Sequence, residues 1–214
     1  MVGWASGLGL LCVVTGITVA TRTHELPSTA FVASATKISS GQVWLLPASA
    51  LIVDRPVLIG LVAFGVLAAV TLRICGARMF WMAAAVGHAG STLVVYAIIG
   101  STQLADPRAF ASAAVHPDFG VSAVQGAWLG AITATAWSRA GADRRARILV
   151  AAGVCAIAGV GWWLHPDPSI LTTEHLFAFL IGSGVVLRQR VARAVRTRTS
   201  RRLIPERRTR ARHA

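Results

Sequence analysis

The sequence predicts an all-α membrane protein: six transmembrane helices in one bundle, with a long outer loop between the first two. Three observations carry this prediction. Six stretches of 17 to 22 residues are almost free of charge, and a helix needs about 20 apolar residues to cross the hydrocarbon core. The composition is 55% apolar and only 14% charged, with a mean hydropathy of +0.63, whereas a soluble domain carries about 25% charged residues. Finally, the basic residues collect in alternate connections. A cytosolic globule is excluded. So is a disulfide scaffold, because Cys12, Cys75 and Cys155 are odd in number and lie inside apolar runs.

The spans follow in order. The first, 2–21, ends at Arg22; it has no basic leader and no small-residue cleavage site, so it is expected to stay as a helix. Segment 22–55 is too long for a plain turn. Its polar stretch Ser34–Gln42 precedes Val43–Val53, which is apolar but too short to span, so an interfacial or re-entrant segment is expected there. The second span, 56–72, lies between Arg55 and Arg73, and the third, 79–100, follows Arg78. The fourth, 119–138, sits between Asp118 and Arg139, and the fifth, 148–164, follows Arg147. The sixth, 170–187, contains Glu174 and His175. Residues 1–188 thus form one membrane domain, followed by a basic tail, 189–214, that is expected to be disordered. No internal repeat is evident.

Charge sets the expected orientation. Arg73 and Arg78 flank the second turn, residues 139–147 carry an excess of +3, and the stretch from Arg188 to Arg212 holds eleven basic residues against Glu206. The opposite connections are nearly neutral or acidic: about +1 over 22–55, −1 over 101–118 and −2 over 165–174. The positive-inside rule puts both termini in the cytoplasm of a multi-pass plasma-membrane protein. The tail has no aromatic residue for stacking on bases and starts at a membrane helix, so anionic lipid is its expected partner and nucleic acid is not.

Polar residues at membrane depth cost about 2.5–3.5 kcal/mol each at a helix centre, so they are the informative ones. His88 lies in the third span, Asp118 and Ser122 at the head of the fourth, and Glu174 and His175 at the head of the sixth. Ser122, Gly126 and Gly130 recur at helical spacing, as do His175, Ala178 and Gly182. Two such small-residue faces allow close helix packing. Packed together, they would bring Ser122 to His175, a nucleophile to the base that can take its proton. The plainer alternative is a packing serine and an interfacial histidine.

The segment Gly120-Val-Ser-Ala-Val-Gln-Gly-Ala-Trp-Leu-Gly-Ala131 resembles the Gly-x-Ser-Gly segment that opens the fourth helix of rhomboid intramembrane proteases. His175-Leu-Phe-Ala-Phe-Leu-Ile-Gly182 resembles that family's sixth-helix segment, and Gly41-Gln-Val-Trp44 is similar to its loop motif ending in Trp-Arg. The resemblance covers about residues 4–188 and is nearest to the divergent actinobacterial rhomboid-like membrane proteins. It implies a Ser122–His175 dyad that hydrolyses a transmembrane protein substrate below the outer surface. No metal or organic cofactor follows from it.

Several residues depart from the family pattern. The family's second helix supplies a histidine and an asparagine as oxyanion donors, and the corresponding places fall near Leu58 and Val62, which cannot donate. Ala123 stands for the glycine after the nucleophile, Gly126 for an aromatic residue, and Leu45 for the arginine after the loop tryptophan. His88-x-x-x-Thr92 has the spacing of a donor pair, but on the third span, where His88 is otherwise a packing histidine. Asp118 either orients His88 or caps the fourth helix, and the cap is the favoured expectation. Two rivals stand beside the protease: an inactive relative that binds membrane clients, and a small proton-linked transporter using His88, Asp118, Glu174 and His175.

Overall fold

The computed structural model describes residues 2–54, 56–164, 170 and 172–210. Arg55, the connection around Asp167, and Arg212, all used in the charge argument, lie outside the described residues. Among the described residues the regular structure is helical, apart from one isolated antiparallel bridge between Ala33 and Asp118.

The helices are α1 (Val2–Arg22), α2 (Ala35–Ser39), α3 (Leu45–Ser49), α4 (Val57–Cys75), α5 (Ala77–Ala105), α6 (Ala111–Val115), α7 (Val121–Ala140), α8 (Arg144–Leu164) and α9 (Thr172–Arg210). Three of them, α1, α4 and α5, are long and apolar enough to cross a membrane. Helices also cover the fourth, fifth and sixth expected spans, as α7, α8 and α9. Helix α7 is rich in glycine, alanine and small polar residues, and it is surrounded: α9, α5, α4 and α8 all pack on it. Small residues such as glycine, alanine, serine and threonine let neighbouring helices approach closely on every side of it.

The boundaries differ from the hydropathy reading in three places. Arg73 and Arg78 belong to helices, because the turn between α4 and α5 shrinks to Gly76. Gly76 has φ +84, a conformation open to glycine, and its N–H bonds Leu72 O at 3.1 Å. Helix α5 has 29 residues, about 44 Å at 1.5 Å per residue, and overruns its expected span at both ends. Helix α9 continues through Arg210, where a disordered tail is expected beyond 188. No proline or glycine interrupts α9 between Gly184 and Pro205, which accounts for its continuation that far beyond 188.

The core is built around Trp128. Its ring stacks on Phe80 with centroids 4.5 Å apart, meets Phe64 at 5.0 Å, and donates its indole N–H to Phe80 O at 2.9 Å. Beside this aromatic group, α7 and α9 approach through small residues. A Cβ on Gly130 would collide with the carbonyl of Phe179, and one on Gly182 with that of Ala127. Ala123, Ala127 and Ala178 fill the seam.

The segment between α1 and α4 is short helices folded onto the bundle rather than a free loop. Ser34 caps α2 by accepting from Lys37 N–H at 3.3 Å. Asp118 N–H bonds Ala33 O at 2.9 Å, Gly120 N–H bonds Ser49 O at 3.0 Å, and Thr36 Oγ1 donates to Ala114 O at 3.0 Å. Leu45 and Ile52 are fully buried, while Val43 and Trp44 stay exposed. This segment is therefore fixed against the middle of α5 and the head of α7, where the polar residues gather.

Candidate active site

Ser122 is the second residue of α7 and His175 lies in the first turns of α9. His175 Nε2 and Ser122 Oγ are 2.8 Å apart, and Ser122 Oγ also lies 3.3 Å from Phe119 O. Both side chains are exposed. The contact follows from the small seam below it: Gly126, one turn down from Ser122, leaves room for the His175 carbonyl, 3.1 Å from where a Cβ would stand. With Gly130 and Gly182 continuing the close approach, the two helix heads hold serine and histidine face to face.

Gly120 has a separate reason to be glycine. The ring of His88 lies against its α-carbon, where any Cβ would collide. His88 is only 4% exposed. Its Nε2 lies 2.8 Å from Leu46 O and 3.4 Å from Ser49 Oγ, and its Nδ1 lies 3.4 Å from Thr92 Oγ1. The ring therefore pins α3 to α5, behind the head of α7, and its nitrogens are occupied by the loop and by Thr92 rather than turned to Ser122.

Asp118 does not cap α7. The N-cap residue is Gly120, without a side-chain cap bond, and Asp118 Oδ2 accepts from Tyr96 Oη at 2.8 Å. The physical reason is the Ala33 bridge, which turns the Asp118 backbone toward the loop and leaves the carboxylate facing α5. Nor is its hydrogen bond made to His88. Glu174, 2% exposed, accepts from Thr92 Oγ1 at 2.5 Å and from Ser91 Oγ at 3.4 Å, with the Asp118 carboxyl group beside it. Successive helical residues are about 100° apart, so Glu174 turns into the bundle while His175 faces Ser122.

The singled-out residues thus fall into two groups. Ser122 and His175 form an exposed pair, while His88, Thr92, Asp118 and Glu174 form a buried network. Ser49, Ser91 and Tyr96 belong to that network and were not singled out from the sequence. Tyr96 is the chain's single tyrosine, set in an apolar run, and that was the available signal. Gln125 is a further polar residue beside the pair; its Nε2 donates to Gly60 O of α4 at 3.0 Å. A glutamine three residues after Ser122 in an uncharged run was the signal there.

On α4, Leu58 and Val62 are 75% and 57% exposed and turn away from α7. The inward positions are Val57, Gly60, Leu61 and Phe64, none of which has a side-chain donor. Among the described residues no group of three or more His, Cys, Asp and Glu is arranged to hold a metal ion. No protein-family model, curated protein or solved structure matches the chain.

Proposed function

We propose that this chain is a rhomboid-like intramembrane serine protease that cleaves transmembrane segments with a Ser122–His175 dyad. The observation that carries the reading is the 2.8 Å contact between Ser122 Oγ and His175 Nε2 at the heads of two helices packed through glycines. A serine hydroxyl is a poor nucleophile until a base takes its proton, and this base is within hydrogen-bond reach.

In the proposed reaction Ser122 Oγ bonds to the scissile carbonyl carbon as its proton passes to His175 Nε2. The carbonyl electron pair moves onto oxygen. Collapse breaks the C–N bond, the amine leaves with the proton from His175, and water then repeats the sequence to release the acid. The first N–H groups of α7 have no acceptor inside the helix, so the Ser122 N–H is free by position to donate to the oxyanion. The exposure of both side chains is consistent with water reaching them.

The same reading includes six spans, both termini in the cytoplasm, residues 22–55 on the outer side, and a location in the plasma membrane. The basic end of α9 then meets anionic lipid on the cytoplasmic face. A second reading, an inactive relative that binds membrane clients, is favoured by one observation: the inward positions in the first turns of α4, Val57, Gly60, Leu61 and Phe64, have no side-chain donor. The two are separated by incubating the purified chain with a model transmembrane substrate and a fluorophosphonate serine probe. The protease reading expects cleavage and labelling that vanish in Ser122→Ala and nearly vanish in His175→Ala, because groups acting as one unit lose activity non-additively. Equal labelling of wild type and Ser122→Ala removes the protease and leaves the client-binding protein.

A further inference from the structure

An acyl-transfer site needs donors aimed at the position where negative charge develops, and the residues around Ser122 leave few that could serve. His88, Thr92, Asp118 and Glu174 are buried and bonded to one another or to the loop. The inward positions in the first turns of α4 are Val57, Gly60, Leu61 and Phe64. Gln125 is different. It stands one turn from Ser122 on α7, and residues three apart on a helix are surface neighbours.

Its direction also fits. Helical side chains lean toward the N-terminus of their helix, so Gln125 leans up toward the turn that carries Ser122. One of its two amide N–H groups is given to Gly60 O at 3.0 Å, in the first turn of α4. That bond spans the seam between α7 and α4. The base arrives on the other flank, since the His175 carbonyl faces Gly126 and its ring faces Ser122. A carbonyl that meets Ser122 Oγ opposite the base therefore turns its oxygen toward the α4 flank, the side on which the Gln125 amide meets Gly60 O.

We propose that the Gln125 side-chain amide donates a hydrogen bond to the oxyanion formed when Ser122 attacks, replacing the side-chain donors that the first turns of α4 lack. This role rests on the protease reading. Gly60 O holds the amide in position through one N–H, and the other N–H stabilises the charge. An ordinary tie between helices would use the first bond alone.

The test compares the full-length chain, purified in detergent, with Gln125→Leu and Gln125→Met. Methionine keeps the unbranched shape and length of glutamine, so it carries the test if leucine disturbs packing. In fluorophosphonate labelling the Ser122 Oγ–P bond forms, fluoride leaves with the P–F electron pair, the serine proton passes to His175, and the phosphonyl oxygen occupies the oxyanion position. The expected result is labelling about 100- to 1,000-fold slower in both variants, with kcat for a transmembrane substrate reduced, KM retained, and the thermal midpoint unchanged. Wild-type labelling rates in a variant with a wild-type midpoint overturn the role of Gln125, as does a loss of rate that only tracks a loss of stability. Wild-type protein that neither labels nor cleaves instead removes the protease reading, and the Gln125 role with it.

Discussion

Thr92 Oγ1 donates to Glu174 Oε1 across 2.5 Å, and that bond joins the middle of α5 to the first turn of α9. Glu174 immediately precedes His175 in the chain. Any rotation of α9 that carried Glu174 away from Thr92 and Ser91 would swing His175 away from Ser122. A buried carboxyl group is costly unless it is hydrogen-bonded, so the network favours one rotation of α9 over its neighbours.

Thr92→Val should therefore destabilise the protein by about 1–3 kcal/mol, the range for a buried polar group that loses its partner. In a Glu174→Leu background the same substitution should cost clearly less, because the carboxyl group it serves is gone and only the 3.4 Å contact with His88 Nδ1 is left to lose. Thermal unfolding of the four proteins in detergent closes the cycle. Additive losses would mean that the two side chains do not act on each other.

His88→Ala separates a structural residue from a catalytic one. The sequence offers His88 as an oxyanion donor, for which turnover would drop about a hundredfold with stability intact. The observed bonds to Leu46 O and Ser49 Oγ, and the packing on Gly120, give a different expectation. The variant should lose stability and activity together, and residues 23–56 should become more open to limited proteolysis. Intact stability with lost turnover would restore the donor role.

Reporter fusions test the proposed orientation. Fusions at Gly76 and Gly141, in the turns after α4 and α7, should read cytoplasmic, and fusions at Gln42 and Asp106 should read external. The basis is the arginine excess around the first two positions. An external reading at Gly141 would remove the six-span arrangement, and with it a dyad near the outer face.

The sequence by itself determined that α1, α4 and α5 are long apolar helices, since each is an uncharged run bounded by arginine or a polar turn. It also singled out Ser122 and His175, because small residues at helical spacing mark the faces on which helices meet and those two residues head such faces. Hydropathy gave no rotation to α4 or α5, whose apolar residues lie on all sides, and an apolar run has no period from which to read an inward face. Only the tertiary structure decided that Leu58 and Val62 point outward, that Asp118 joins Tyr96 instead of capping α7, and that Gln125 reaches Gly60. The last two outcomes depend on hydrogen bonds between residues 22 and 65 positions apart along the chain. Turning a helix by one residue moves a side chain by about 100°, so such partners are chosen only when the helices pack.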